Sequence, residues 1–275
     1  MLGREVVESA RRAAHEVDAL DHHSLDITDD VAVRDVLDTH RPDLIVNCAA
    51  FTAVDRCEAD PDLAFAVNAT GPRHLAAGAR SVGARLVHVS TDYVFDGTKV
   101  GPYTEHDLPN PQSVYGASKR AGELEVLKLG PDGLVVRTAW TFGRHGANMV
   151  KTVLAARSST SPLRFVHDQV GSPTSAADLS GLLIDLATVA ASGVIHAANQ
   201  GSVSWYEFVG EILRQCGDDP GRVEPIRTVD LDPPRAARRP ANSVLTSVRL
   251  ADYALRGLRP YESALGEVLA ELSNG

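Results

Sequence analysis

Two periodicities alternate along the first 140 residues, and this alternation leaves few folds open to the chain. Short apolar runs read as strands at Asp43 to Cys48, Leu86 to Ser90 and Leu134 to Arg137. Apolar residues at helical spacing mark residues 4–14, 29–39, 61–81 and 113–128. Glu16 to Leu20 reads as a further strand, ending at Asp21. Strands separated by helices of this length imply an α/β fold with a parallel, doubly wound sheet. From about residue 140 the pattern loosens. Gly143, Gly146, Pro162, Pro173 and the Pro/Arg-rich stretch 233–240 break it into shorter elements. We therefore expect one domain over residues 1–142. A smaller one over 143–275 closes on it, with segments returning to the first.

Composition removes several classes of function. A net charge of −9 argues against a general nucleic-acid binder and against an anionic membrane surface. No apolar stretch approaches the roughly 18 residues a membrane helix needs. Met1-Leu2-Gly3-Arg4-Glu5 lacks the apolar core of a signal peptide, and Cys48, Cys57 and Cys216 have no metal-ligand spacing. A cytoplasmic protein without a membrane or nucleic-acid partner is the expectation.

Chemistry concentrates in the middle of the chain. Ser90-Thr91-Asp92-Tyr93 lies at the carboxyl end of an expected strand, where open α/β sheets form their sites. Tyr115 and Lys119, at i and i+4, share one face of the next helix. A nearby ammonium favours a phenolate and would lower the tyrosine pKa. With a hydroxyl beside it, such a pair can move a proton on or off the oxygen of a carbonyl/alcohol couple. That is redox chemistry at carbon once a hydride carrier is bound. The plain alternatives are a strand-end cap for Thr91 and a solvated helix pair for Tyr115 and Lys119. His167-Asp168-Gln169 superficially suggests a triad, but no Gly-x-Ser-x-Gly elbow accompanies it.

A dinucleotide fold opens with an apolar strand and a Gly-rich turn, whereas Met1-Leu2-Gly3 here leads directly into a helix. Asp21, at a strand end, could accept from an adenosine ribose hydroxyl, which leans toward NADH; His22 and His23 beside it keep NADPH open. Arg235, Arg238 and Arg239 form a basic cluster suited to diphosphate oxygens, or a solvated loop.

Taken together, the motifs resemble the dTDP-4-dehydrorhamnose reductase family of extended short-chain dehydrogenases/reductases. The resemblance rests on Val46-Asn47-Cys48-Ala49-Ala50, Thr52-Ala53-Val54-Asp55 and Thr91-Asp92-Tyr93-Val94-Phe95. It continues in Tyr115 to Lys119, Arg137-Thr138-Ala139-Trp140, Asp168 to Thr174 and Arg238-Arg239-Pro240 with Asn242-Ser243. The family also carries a first strand and a Gly-x-x-Gly-x-x-Gly turn, of which Gly3 would be the last glycine. The reading is thus a Rossmann-type sheet without its first strand and an assigned start downstream of the natural one.

The resemblance implies NADPH- or NADH-dependent reduction of the C4 ketone of a dTDP-linked 4-keto-6-deoxy sugar, giving dTDP-L-rhamnose. Thr91 would bond the C4 carbonyl oxygen, Tyr115 would give it a proton, and Lys119 would hold the nicotinamide ribose and tune Tyr115. Gly3, Asp21, Asp26, Ile27, Ala49, Ala50 and Asn68 would line the cofactor; for Asn68 a structural hydrogen bond is the alternative. Thr52, Val54, Asp92, Tyr93, Trp140 and Arg239 would line the substrate, Trp140 packing on the deoxysugar and Arg239 holding the diphosphate. Some relatives bind magnesium between subunits; no residue here is assigned to such a site, and a homodimer stays open. An epimerase or dehydratase on the same fold is a rival, as is a non-catalytic nucleotide-binding subunit.

Overall fold

The computed structural model describes residues 1–157 and 161–273. Helix α1 (Leu2–Arg12) has Glu5 in its first turn and Arg11 and Arg12 in its last, matching the helix dipole. Helix α2 (Asp30–His40) is capped by Asp29, whose carboxylate accepts from the Val31 and Ala32 amides. Strand β1 (Leu44–Asn47) and the short α3 (Val54–Ala59) follow. The helix expected over 61–81 is one helical run with a flaw: α4 (Pro61–Phe65), a π turn (Ala66–Thr70) and α5 (Gly71–Val82). Next come β2 (Arg85–Thr91), α6 (Val114–Leu127) and β3 (Gly133–Thr138), each within two residues of its expected bounds.

Beyond residue 140 the elements are β4 (Thr141–Phe142), α7 (Met149–Ala156), β5 (Leu163–Val166), β6 (Val170–Gly171) and β7 (Thr174–Ser175). They continue with α8 (Ala176–Thr188), β8 (Gly193–His196), β9 (Val203–Ser204), α9 (Trp205–Gln215), β10 (Val223–Ile226) and α10 (Tyr261–Ser273).

The main sheet is parallel, in the order β1-β2-β3-β8. Its inner strands are apolar and buried on both faces, as helices on both sides require. On one face α1 and α8 pack together, joining Val6 and Ala10 to Leu179, Leu183 and the sheet residues Val87, Leu134 and Val136. On the other, α2, α5 and α6 enclose Val33, Leu75, Leu86 and Val126. Residues 176–196 thus return to the first core. A second core gathers α7, α9 and α10 around Phe142, Phe208 and Leu265, beside the parallel pair β5 and β10.

One expected strand is absent. Residues 16–20 are assigned no regular structure, and Leu20 is 46% exposed. A strand exists through its ladder partner, and among the described residues none pairs with this segment. The outer edge of β1 is likewise unpaired, and Leu44 to Val46 are only half-buried. Asp21 accordingly closes no strand: its carboxylate accepts from the His23 and Ser24 amides at 3.0 and 3.1 Å in an exposed turn.

Candidate active site

Strand β2 ends at Thr91, whose side chain caps the next turn by accepting from the Tyr93 amide at 3.2 Å. Helix α6 starts at Ser113, whose hydroxyl accepts from the Gly116 amide, while the Val114 amide donates to Glu58. These two anchors bring Tyr115 and Lys119 inward, 8% and 1% exposed. Gly116 permits the approach: a Cβ there would lie 2.2 Å from the Tyr93 carbonyl oxygen. The Tyr93 and Tyr115 rings meet edge to face with centroids 5.4 Å apart, and Val54 joins their cluster.

The geometry alters the expected roles. Burial raises the Tyr115 phenol above its ordinary value, only partly offset by the Thr91 hydroxyl beside it. Lys119 is directed elsewhere. The amine turns into the protein instead, donating to the Val89 carbonyl at 2.7 Å and lying 3.1 Å from His88 Nε2. Burial lowers the Lys119 amine to about 8, opposed by the Glu123 carboxylate. Helical spacing put both side chains on one face but could not reveal what else would compete for the ammonium.

Thr91 is also committed. Its hydroxyl donates to Asp92 Oδ1 at 2.9 Å. A hydroxyl has one proton, so while Asp92 is ionised Thr91 can only accept from other groups. Burial pushes Asp92 up to about 6, opposed by the Ser243 and Thr91 hydroxyls. A protonated Asp92 would donate to Thr91 and free the threonine proton for a substrate oxygen.

Behind these groups lie residues that sequence reasoning passed over. His88 is fully buried, with Nδ1 3.0 Å from Asn47 Nδ2, and burial holds it well below the usual imidazole range. Its signal was legible: a histidine inside the apolar run Leu86 to Val89 must have partners. Glu123, also fully buried, accepts from Ser90, Arg120 and Arg137, the last through two 2.7 Å bonds. This knot ties the ends of β2 and β3 to α6.

Residues expected to line the cofactor lie at the carboxyl end of β1. Asn47 Oδ1 accepts from the Ala49 amide at 3.0 Å and fixes the turn through Ala49 and Ala50. Gly3 faces this turn, and a Cβ there would meet only the Cys48 Cβ at 3.8 Å. No side chain caps α1, so its first-turn amides suit a phosphate or diphosphate. Together with the small alanines and the Lys119 amine, this donor set fits a dinucleotide.

Three expected cofactor residues have other work. Asn68 spends its amide on the Phe51 backbone and Ser118 Oγ, so it holds the loop after β1 to α6. Asp26 accepts from the Thr28 amide and hydroxyl. Ile27 packs into the core against Gly71.

Of the residues expected at the substrate, Thr52 is exposed. Arg239, expected to grip a diphosphate, instead forks onto Asp55 at 2.5 and 2.7 Å. That contact holds the Asp55 carboxyl down at about 2. Exposed positive charge is left to Arg238 and to Arg235, whose guanidinium is 3.8 Å from Asp55. Trp140 has φ +45° and stacks on Trp205. A bulky residue in this region is uncommon and costs on the order of 1 kcal/mol, comparable to what an aromatic stack returns. Away from these groups, Glu5, Glu8 and His145 bring ligand atoms within 4.8 Å of one another, with Arg144 already paired to both glutamates.

Known proteins match nearly the whole chain. The family model described as the RmlD substrate binding domain matches residues 1–274. A dTDP-4-dehydrorhamnose reductase of Streptomyces griseus is 45% identical over 273 residues, covering 97% of this chain and 89% of the relative. A dTDP-4-keto-6-deoxy-D-glucose reductase of Streptomyces niveus is 41% identical, covering 99% and 94%. The crystal structure of a Bacillus anthracis dTDP-4-dehydrorhamnose reductase in complex with NADP superposes with a TM-score of 0.94 at 36% identity, covering 98% and 95%. A match over nearly the full length, at this identity, leaves no room for a likeness of fold alone, and the chain belongs to the dTDP-4-dehydrorhamnose reductase family.

Proposed function

We propose that the chain reduces the C4 ketone of dTDP-4-dehydro-6-deoxy-L-mannose to the alcohol of dTDP-L-rhamnose. The observation that carries this is the grouping of Thr91, Tyr115 and Lys119 at the carboxyl ends of the sheet, in a chain 45% identical to a reductase so named. Bound NADPH or NADH supplies the hydride that adds to C4. Tyr115 gives its phenolic proton to the carbonyl oxygen as negative charge develops there, and its raised pKa keeps that proton in place at neutral pH. Thr91 bonds the same oxygen when Asp92 holds the proton between them. Lys119 offers the ribose an amine whose aim is set by His88 and Val89. Gly3, Ala49 and Ala50 hold the diphosphate side of the dinucleotide.

The sequence leaned toward NADH through Asp21. Asp21 accepts from its own turn through Oδ1 and ends no strand, so that argument weighs little. The Bacillus anthracis relative was solved with NADP, so NADPH becomes the preferred reductant. Most of residues 1–142 serve the cofactor in this reading. Trp140 and residues 143–275 serve the sugar nucleotide, apart from the returning α8 and β8.

Purified protein assayed with the 4-keto sugar nucleotide should oxidise NADPH faster than NADH and yield the rhamnose epimer by NMR. Faster coenzyme oxidation with dTDP-4-keto-6-deoxy-D-glucose than with the L-sugar would assign it to the second reading, a reductase of another dTDP-4-keto-6-deoxy sugar, as the Streptomyces niveus relative is named. No oxidation of either coenzyme, with dTDP still binding, would favour the non-catalytic alternative.

A further inference from the structure

Trp140 and Trp205 are the only two tryptophans of the chain, and they lie face to face, centroids 3.6 Å apart and planes 4° from parallel. Gly171 lies over part of the other face of Trp140. A Cβ on Gly171 would fall 2.3 Å from Cε2, 2.5 Å from Nε1 and 2.7 Å from Cζ2 of that indole. A carbon so placed between the rings would lie closer still to Trp205, and no Trp205 atom is among its three nearest. Gly171 therefore lies on the side away from Trp205, and any side chain there would drive into the ring.

Both jaws of this clamp hang on one ladder: β6 and β9 are antiparallel, with Gly171 opposite Val203 and Trp205 just beyond Ser204. Trp205 is itself held. It is the first residue of α9, whose start is fixed by the capping box of Ser204 and Glu207, and it tilts against Phe208 of the second core. Trp140 keeps its left-handed backbone, and its carbonyl accepts from the Thr174 amide at 3.2 Å. With one face stacked on Trp205 and the Nε1–Cε2–Cζ2 part of the other under Gly171, Trp140 offers a ligand chiefly its ring edge.

We propose that Trp205 is a substrate-positioning residue. With Gly171 it clamps Trp140 so that the indole meets the sugar of the dTDP-linked substrate by its edge, and this sets affinity for the sugar nucleotide without touching the cofactor. The proposal rests on the reading of Trp140 as a wall of the sugar site. It differs from the expectation of an indole face packed on the deoxysugar, and it gives Trp205 and Gly171 roles that the motifs had not assigned.

The test uses the full chain and four variants: Trp140→Phe, Trp205→Leu, Trp205→Phe and Gly171→Ala. Two indoles in contact couple their transitions, so the near-UV absorption of the wild type should differ from the sum expected of two separate tryptophans. Either tryptophan variant should abolish this coupling. dTDP-L-rhamnose should perturb it, while dTDP alone should leave it unchanged. Trp205→Leu should raise KM for the 4-keto sugar nucleotide by about tenfold, the scale of a lost pocket contact, with kcat and KM for NADPH little changed. Trp205→Phe should recover part of that loss, and Gly171→Ala should shift KM in the same direction as Trp205→Leu. If Trp205→Leu does not fold, Trp205→Phe carries the comparison, with a several-fold rise expected.

A wild-type near-UV absorption equal to that of two separate tryptophans would overturn the proposal, because the stack would not exist in solution. A KM that rises in Trp140→Phe but not in the Trp205 variants would overturn it while leaving the sugar-site reading of Trp140 intact. If no variant moves KM, that reading fails and the proposal with it.

Discussion

Tyr115 and Asp92 show how burial resets the chemistry that residue type suggests. The phenol was expected to be acidified by Lys119; burial raises it instead, making Tyr115 a proton donor rather than a standing phenolate. Tyr115→Phe should therefore cost about 10²–10⁴-fold in turnover, with coenzyme binding by fluorescence titration unchanged. Asp92 carries its own stability signature. Its folded-state pKa of about 6 lies above the ordinary carboxylate value, so the native state binds the proton more tightly than the unfolded chain. Stability from that proton is fully present below about pH 4 and is lost as pH rises through about 6. Asp92→Asn keeps the shape and avoids the buried charge. It should exceed wild type in urea stability by on the order of 3 kcal/mol at pH 7, the difference vanishing near pH 4. A constant difference across this range would remove Asp92 as the cause.

At the scale of elements, the carboxyl ends of β2 and β3 are held to α6 by Glu123 and Arg137, both buried, and by Ser90. Breaking a buried pair leaves one charge stranded, so Glu123→Gln should destabilise the protein by about 3–5 kcal/mol, read from urea midpoints. It should also lower kcat, because α6 carries Tyr115 and Lys119. Replacing Glu123 and Arg137 together by apolar residues of similar volume should cost less than Glu123→Gln alone. The same helix explains Gly116 and Gly122, which give close passage to the Tyr93 and Asn68 carbonyls.

For the molecule as a whole, the bond between Asp55 and Arg239 ties the start of α3 to a segment near the other end of the chain. The Ala237 amide reinforces it by donating to the same carboxylate at 3.0 Å. The pair is partly exposed, with side chains 35% and 15% accessible, so Arg239→Ala should cost only about 1–2 kcal/mol. Its clearer mark should be faster tryptic cleavage at the exposed Arg235 and Arg238. dTDP should protect wild type against thermal unfolding, as a ligand of the native state must. Protection retained in Arg239→Ala would assign the diphosphate to Arg235 and Arg238, whereas its loss would return that role to Arg239.

The alternation of strands and helices, the place of Thr91 at a strand end and the i, i+4 spacing of Tyr115 and Lys119 were all legible in the sequence. Each depends on local periodicity, which a single chain displays without reference to distant segments. What sequence could not supply were the partners. Residues 16–20 read as a strand but find no pairing neighbour among the described residues, and Asp21 turns back on its own loop. Lys119 found His88 and Val89, Asn68 found Phe51, Arg239 found Asp55 and Trp140 found Trp205, each through contacts between segments well separated along the chain. The sequence by itself determined the family and the kinds of groups that meet at the site. Only the tertiary structure decided which lone pair, proton or ring face each group has left to offer a ligand, because burial and competing hydrogen bonds arise when distant segments pack.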